Sequence, residues 1–458
     1  MLRKAHKLGL LAGASVTVLG LLAGGAQAGG FGIIEQSGSF LGTSFAGVAA
    51  GGDLSSMYWN PAALVTVQGT NSEDHITAGR QNASVQAGPG STLLGAPGVN
   101  SNSGNIYPDA VIPISYFGHQ INDNLYFGVG LNAPFGSKTK PDNRVWAGMT
   151  LAETSQITTY NLNPNLAYRI APGLSIGAGL QFELIKVREK FATSTAALGA
   201  PPSQWANSVL KGDDVGVGFT VGVHWQPNPA TQIGLGYRSG IDHDVKGSLV
   251  GPGTGPTVPG VGNATAGSLG VSVPINLPDQ ATLSARHDLN SQFAVLGTAQ
   301  WTHWSKLSSL DVNCTTVGTI PLLTLAGKCT GLGQQLESTK LNWDDGWFFS
   351  LGGEYKLNRA MLLRAGVAYE KSPIQNAAQQ VTNIIDTDRI WVSTGLEYKL
   401  SPSMTADLSY AHVFFKDGNI DRTDPLTNIR VIGTTQRDAD VLAIALKMRF
   451  GAAVEPLK

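Results

Sequence analysis

The chain has 458 residues, of which 14% are charged, with 57 glycines and a net charge of −1 at neutral pH. That balance gives no support for nucleic acid or any other polyelectrolyte as a partner. Beyond the N-terminus no stretch approaches the ~18 consecutive apolar residues of a membrane-crossing helix, so an exported β-protein or an outer-membrane barrel remains.

Arg3, Lys4 and Lys7 precede an apolar run from Leu8 to Leu22, and Ala26-Gln27-Ala28 closes it as a cleavage site. This predicts a signal peptide over 1–28, removed to leave a mature chain starting at Gly29. Residues 29–68 are rich in Gly, Ala and Ser and lack alternation. They end in the stretch Gly51–Leu64, GGDLSSMYWNPAAL, where Asn60-Pro61 is a turn signal.

From residue 69 to 450 the period is two. In the third predicted strand Leu125, Phe127, Val129 and Leu131 form an outer face, and then Pro134 arrives, which cannot donate to a ladder. Ile390, Val392, Thr394, Leu396, Tyr398 and Leu400 share one parity, with Arg389, Ser393, Glu397 and Lys399 on the other. Near the end Leu442, Ile444, Leu446, Met448 and Phe450 oppose Lys447 and Arg449.

Six short turns lie at 120–124, 170–173, 226–230, 288–291, 357–359 and 400–403. They alternate with seven long loops near 88–107, 136–152, 192–212, 246–270, 309–338, 372–386 and 417–435. The fold class is therefore all-β, a 14-stranded antiparallel transmembrane barrel with its termini on the short-turn side. Aromatics at Tyr116-Phe117, Tyr126-Phe127, Trp301, Trp304, Trp343, Trp347 and Phe414-Phe415 suit interfacial girdles. Residues 29–68 then read as a compact segment packed as a plug inside the barrel lumen with a turn at its end at Asn60-Pro61, the alternative being an ordinary Asn-Pro turn leading into the first strand. Phe450 is followed by a short tail, 451–458, for which there is no physical account.

Cys314 and Cys329 are the only cysteines, and in an exported chain they predict a disulfide on an exposed loop, worth about 3 kcal/mol by chain entropy. No His stands near them at ligand spacing, so no metal site is expected. No nucleotide-binding glycine motif occurs in the mature chain, and no cofactor is expected. A barrel esterase would need an activated serine. His303 with Ser305, or His287 with Ser284, lacks any nucleophile or oxyanion motif, so the chain is not read as an enzyme.

Asn60-Pro61-Ala62 after a Gly/Ala-rich N-terminus, Gly130–Gly136, Ser372-Pro373 and Asp388-Arg389-Ile390-Trp391 resemble, in order and spacing, the FadL family of long-chain fatty acid transporters of Gram-negative outer membranes. The resemblance covers nearly the whole mature chain. It implies a hatch hinged at Asn60, Pro61 and Ala62, and a lateral opening at an inward kink over Ala133, Pro134, Phe135 and Gly136. It implies passive uptake: outer loops capture a hydrophobic molecule, an apolar lumen holds it, the hatch shifts, and the molecule leaves sideways into outer-membrane lipid.

Arg389 matches the family's Asp-Arg motif and has lumen parity, so it is a headgroup candidate, with structural pairing to a carboxylate as the alternative. Lys190 matches a basic ligand-contacting position although its parity is outward, and Lys340 lies one residue from another. The chain departs from the family in its short 192–212 loop and its Gly/Pro/Thr/Val-rich 246–270 loop. That opens aromatic hydrocarbons as an alternative substrate class. A polar porin or adhesin is the alternative of a different class. No feature demands an oligomer, so a monomer is the expectation.

Overall fold

The computed structural model describes residues 29–451, apart from 152, 197–198, 256 and 259–261. The predicted signal peptide and most of the C-terminal tail lie outside the described residues. One antiparallel sheet of fourteen wall positions closes on itself.

In chain order the wall strands are β1 (Thr70–Ala87), β2 (Ala110–Gln120), β3 (Leu125–Asn132, resuming as Gly136–Thr139), β4 (Thr154–Ala171), β5 (Leu174–Ala192) and β6 (Asn207–Asn228). They continue as β7 (Thr231–Arg238 and Asp242–Val250), β8 (Ser268–Asn276 and Gln280–Asp288), β9 (Phe293–Thr302 and Ser309–Cys314) and β10 (Gln335–Lys340 and Gly346–Lys356). The last four are β11 (Met361–Lys371), β12 (Arg389–Ser401), β13 (Met404–Phe415 and Gly418–Thr423) and β14 (Arg430–Phe450). Closure is an unbroken ladder between β14 and β1, from Thr70 opposite Phe450 to Ala87 opposite Gly433. A closed sheet leaves no free edge, which is what a backbone in lipid requires.

Alternation produces the two faces. Leu166, Leu180, Val217, Leu283, Leu351 and Ile444 are exposed on the outside, while their neighbours are buried inside. Hydrophobic exposure on this scale, on the outer face of a ring, is a lipid-facing belt. Three of the short turns share one device. The side-chain oxygens of Asn122, Asn290 and Asn358 each accept two backbone N–H bonds from the residues just after them.

Two sequence expectations need correction. Pairing runs into five of the stretches read as loops, because β3 resumes at 136, β6 begins at 207 and β7 extends to 250; β9 also reaches 314, and β13 and β14 occupy much of 417–435. Above the apolar belt the side chains turn polar and glycine-rich while backbone pairing continues, so composition reads as loop where the ladder persists. The aromatics divide as well. Tyr116, Tyr126, Trp304 and Trp343 are buried inside the ring, while Phe117, Trp347 and Phe414 face outward. Adjacent residues of a strand point to opposite faces, so one of each neighbouring pair must leave the girdle.

Cys314 and Cys329 are disulfide-bonded, their Cα atoms 5.6 Å apart, between the end of β9 and the loop after it.

Candidate functional site

Residues 29–67 precede β1 and are almost entirely buried, with only Gly52 exposed. They carry few bulky side chains, yet Phe31, Phe40, Phe45, Tyr58 and Trp59 anchor two apolar clusters shared with the inner wall. The segment forms one short helix, α1 (Gly38–Leu41), capped by the Ser37 side chain, and two 3-10 turns, Leu54–Tyr58 and Pro61–Thr66. Helical stretches this short have no stability of their own, so packing against the wall must hold them.

The Asn-Pro turn is fastened to that wall. Asn60 caps the second 3-10 turn by accepting from the Ala62 N–H at 3.0 Å, with Pro61 at the first helical position, where its missing N–H costs nothing. The Asn60 amide donates to the carbonyls of Ala49 at 2.9 Å and of Val223 on β6 at 3.0 Å. The turn seats on bare backbone. A Cβ at Gly236 on β7 would lie 1.8 Å from the Trp59 oxygen, and one at Gly177 on β5 would lie 2.3 Å from the Ala62 nitrogen.

Wall charges hold the middle of the segment. Glu73 accepts from the N–H groups of Leu54 at 2.7 Å and Ser55 at 3.0 Å. Lys447 reaches Asp53 at 2.7 Å while also contacting Glu397 and Asp407.

Further along, the N-terminus meets a break in the wall. β3 stops pairing with β2 at Leu131 opposite Ser115, so Ala110–Ile114 are paired to β1 alone. When β3 resumes at Gly136 it pairs only with β4. A bond from Lys140 N–H to the Ile106 carbonyl, 2.7 Å, joins the two sides again above the break. The window has a proline on each side, Pro113 on β2 and Pro134 in the kink. Proline belongs at strand edges and interruptions, since it has no N–H to offer a neighbour.

The kinked backbone is satisfied from inside. Ile33 N–H donates to the Pro134 carbonyl at 2.8 Å, Gly136 N–H to the Phe31 carbonyl at 2.8 Å, and the Gln36 amide to the Ala133 carbonyl at 2.8 Å. Thr159 on β4 completes the set by accepting from Phe135 N–H and donating to its carbonyl. The Phe135 ring turns into the lumen beside Phe31 and Trp304, with centroids about 6 Å away, and Trp304 packs edge-on against Trp343. The N-terminal segment and the wall break therefore form one hydrogen-bonded unit.

A family model described as Outer membrane protein transport protein (OMPP1/FadL/TodX) matches residues 19–450. The chain belongs to this family. Its members are outer-membrane transport channels for hydrophobic compounds, not enzymes. Among similar proteins is outer membrane protein P1 of Haemophilus influenzae, 27% identical over 95% of this chain and 98% of that protein. Another is a long-chain fatty acid transport protein of Escherichia coli, 27% identical over 87% of this chain and 90% of that one. Of solved structures, a Pseudomonas aeruginosa FadL homologue aligns with TM-score 0.79 at 22% identity, over 92% of this chain and all of that one. The Pseudomonas putida toluene transporter TodX aligns at 0.64 and 14% identity, over 91% and 99%. At those identities the structural likeness establishes the fold.

The three candidate cations of this OMPP1/FadL/TodX chain are not brought together. Arg389 is 1% exposed and points into the lumen, as its parity requires. Its Nε donates to Glu370 at 2.8 Å and its Nη1 to Asp386 at 2.7 Å. Those carboxylates in turn accept from the backbone N–H groups of Gly29 at 2.6 Å and Gly30 at 2.9 Å. Arg389 thus holds the pair of acids that holds the start of the segment bound to the kink. Lys190 keeps its outward parity, because the β4–β5 ladder stays in register to its end, and its amine contacts Glu153 at 3.2 Å. Lys340 is exposed at the end of the first segment of β10.

Sequence reading missed Glu370, Asp386, Gln36 and Thr159, which no motif marks. Pro113 was available as a signal, since a proline within a strand already argues for a free edge. Glu35, in the N-terminal segment, is fully buried with both carboxylate oxygens unpartnered, and burial pushes its carboxyl up to about 8. The neighbouring Glu370 adds to the rise.

Proposed function

We propose that the protein takes up long-chain fatty acids or similar amphiphiles passively, with the N-terminal segment acting as the hatch and the β3 window as the lateral exit. The observation that carries this reading is the shared unit formed by Phe31, Ile33 and Gln36 with Ala133, Pro134 and Gly136. Movement of the hatch removes hydrogen bonds from the kink, so opening the lumen and freeing the wall gap are one event. The molecule would leave into lipid, where its chain is already soluble, and no energy source is needed beyond consumption downstream.

A cavity of about 30 Å³ beside Tyr58, Trp59, Trp304 and Phe348 has room for about one water and none for an alkyl chain. On this reading an alkyl chain passes that cavity only once the hatch rearranges. An open polar porin, by contrast, would need a continuous wet pore where the hatch lies.

Aromatic hydrocarbon uptake is the second reading, favoured by the aromatic lining of Phe31, Phe135, Trp304 and Trp343. Uptake of labelled oleate and labelled toluene by cells lacking their own transporter separates the two. Oleate accumulation supports the fatty acid reading. Toluene alone keeps the route and changes the substrate. Entry of a small hydrophilic sugar with neither of them overturns both.

A further inference from the structure

Arg238 closes the first segment of β7, faces the lumen and is only 5% exposed. Its guanidinium lies over the Tyr58 ring, 4.4 Å from the centroid. Neither Nη1 nor Nη2 has a hydrogen-bond partner, and neither does the Tyr58 hydroxyl. The other buried arginines of the described residues are different. Arg364 and Arg389 are bonded to carboxylates, and Arg437 donates to the Ile385 carbonyl and the Gln81 amide.

A desolvated guanidinium is tolerated when its planar N–H groups are matched, and a ring face beneath it does not match them. Glu183 acts on Arg238 only at a distance. Its own oxygens are taken, by the Asn161 amide at 3.0 Å and His243 at 3.5 Å. The charge is therefore held in the lumen without a counter-ion.

Its surroundings suit an amphiphile. Gln280, opposite Arg238 in the β7–β8 ladder, and Tyr58 both line the small cavity whose other walls include Ile33, Trp304 and Phe348. Tyr58 belongs to the N-terminal segment, so a shift of that segment uncovers the guanidinium and enlarges this cavity together. From there Tyr116 leads to the window, since its hydroxyl donates to the Gln36 carbonyl and Gln36 bonds to Ala133. A forked guanidinium with a phenol beside it matches the two oxygens of a carboxylate, and nothing in a hydrocarbon calls for either group.

We propose that Arg238 and Tyr58 form the headgroup site for a long-chain monocarboxylate in the lumen, uncovered when the hatch moves. This rests on the transport reading above and deepens it by assigning a charged substrate over a hydrocarbon.

The test is binding of labelled palmitate and labelled hexadecanol, which share a chain and differ in charge, and of labelled toluene, to the full chain in lipid nanodiscs. Wild type, Arg238→Gln and Arg238→Lys are compared, with heat-modifiable gel mobility confirming a folded barrel in each. Arg238→Gln is expected to weaken palmitate by about tenfold or more and to leave hexadecanol within about twofold, with Arg238→Lys recovering part of the loss. Wild-type palmitate affinity in Arg238→Gln overturns the proposal, and so does an equal loss of both ligands, which assigns Arg238 to structure. Wild type that binds hexadecanol or toluene and not palmitate overturns the headgroup site and leaves the transport reading standing. Wild type that binds none of the three overturns both.

Discussion

Gly236→Ala tests whether the Asn-Pro turn is held by its fit to bare backbone. The new Cβ would lie 1.8 Å from the Trp59 oxygen and 3.0 Å from the Asn60 Cα. Ordinary contact begins near 3.4 Å, so the turn must retreat by about 1.6 Å or β7 must bend. β7 is fixed by ladders to β6 and β8, so the turn gives way. Retreat on that scale breaks the Asn60 bonds to Ala49 and Val223, each worth about 1 kcal/mol. Overpacking adds about 1–3 kcal/mol. Docking of the turn should weaken by about 3–5 kcal/mol in all, or roughly two to four orders of magnitude in local opening. Hydrogen exchange of the amides in 58–66 reads this directly in detergent or nanodiscs. Gly353→Ala is the control, since a Cβ there meets only the Ala294 oxygen at 3.8 Å. Exchange in 58–66 unchanged by Gly236→Ala, with the barrel intact, would refute the reasoning.

Arg389→Leu strands the buried acids Glu370 and Asp386 and should cost about 3–5 kcal/mol, read as faster exchange over 29–36 and a lower melting temperature. Glu35 has a folded carboxyl raised from 4.5 to about 8, so the folded state keeps a proton that the unfolded chain releases. Stability contributed at Glu35 is therefore full below about pH 4.5 and falls as pH rises toward 8, by about 1.4 kcal/mol per pH unit between them. Denaturant titrations from pH 5 to 8 should show that fall in the wild type and a flatter profile in Glu35→Gln. Cys314→Ser with Cys329→Ser removes a closure worth about 3 kcal/mol to its loop, and proteolysis within 315–328 should rise while the barrel's heat-modifiable mobility stays unchanged.

The wall was legible because lipid and lumen impose opposite demands on alternate residues, as the Ile390–Leu400 run shows. That parity placed Arg389 inside and Lys190 outside, and the structure keeps both there. What misled was local composition: polar, glycine-rich stretches such as 246–250 read as loop, although backbone pairing does not depend on side-chain polarity. Adjacent aromatics such as Tyr116-Phe117 looked like one girdle until period two was applied within the pair. The kink was visible in Pro134, and Pro113 across the window carried the same message. Glu370, Asp386, Gln36 and Arg238 were out of reach, because their meaning comes from contacts with partners far away in the sequence, from 97 residues for Gln36 and Ala133 to 356 for Asp386 and Gly30.

The lateral route is tested most directly by closing the window. Pro134→Ala with Gly136→Ala restores a backbone donor and adds a methyl 2.9 Å from Ile33 Cδ1, a flexible side-chain end that can yield. Exchange protection of the Ala110–Ile114 amides reports whether β3 has re-paired with β2. With those amides protected and surface expression unchanged, uptake of labelled oleate should fall well below wild type. Wild-type uptake through a protein whose window is shown to be closed would contradict the account.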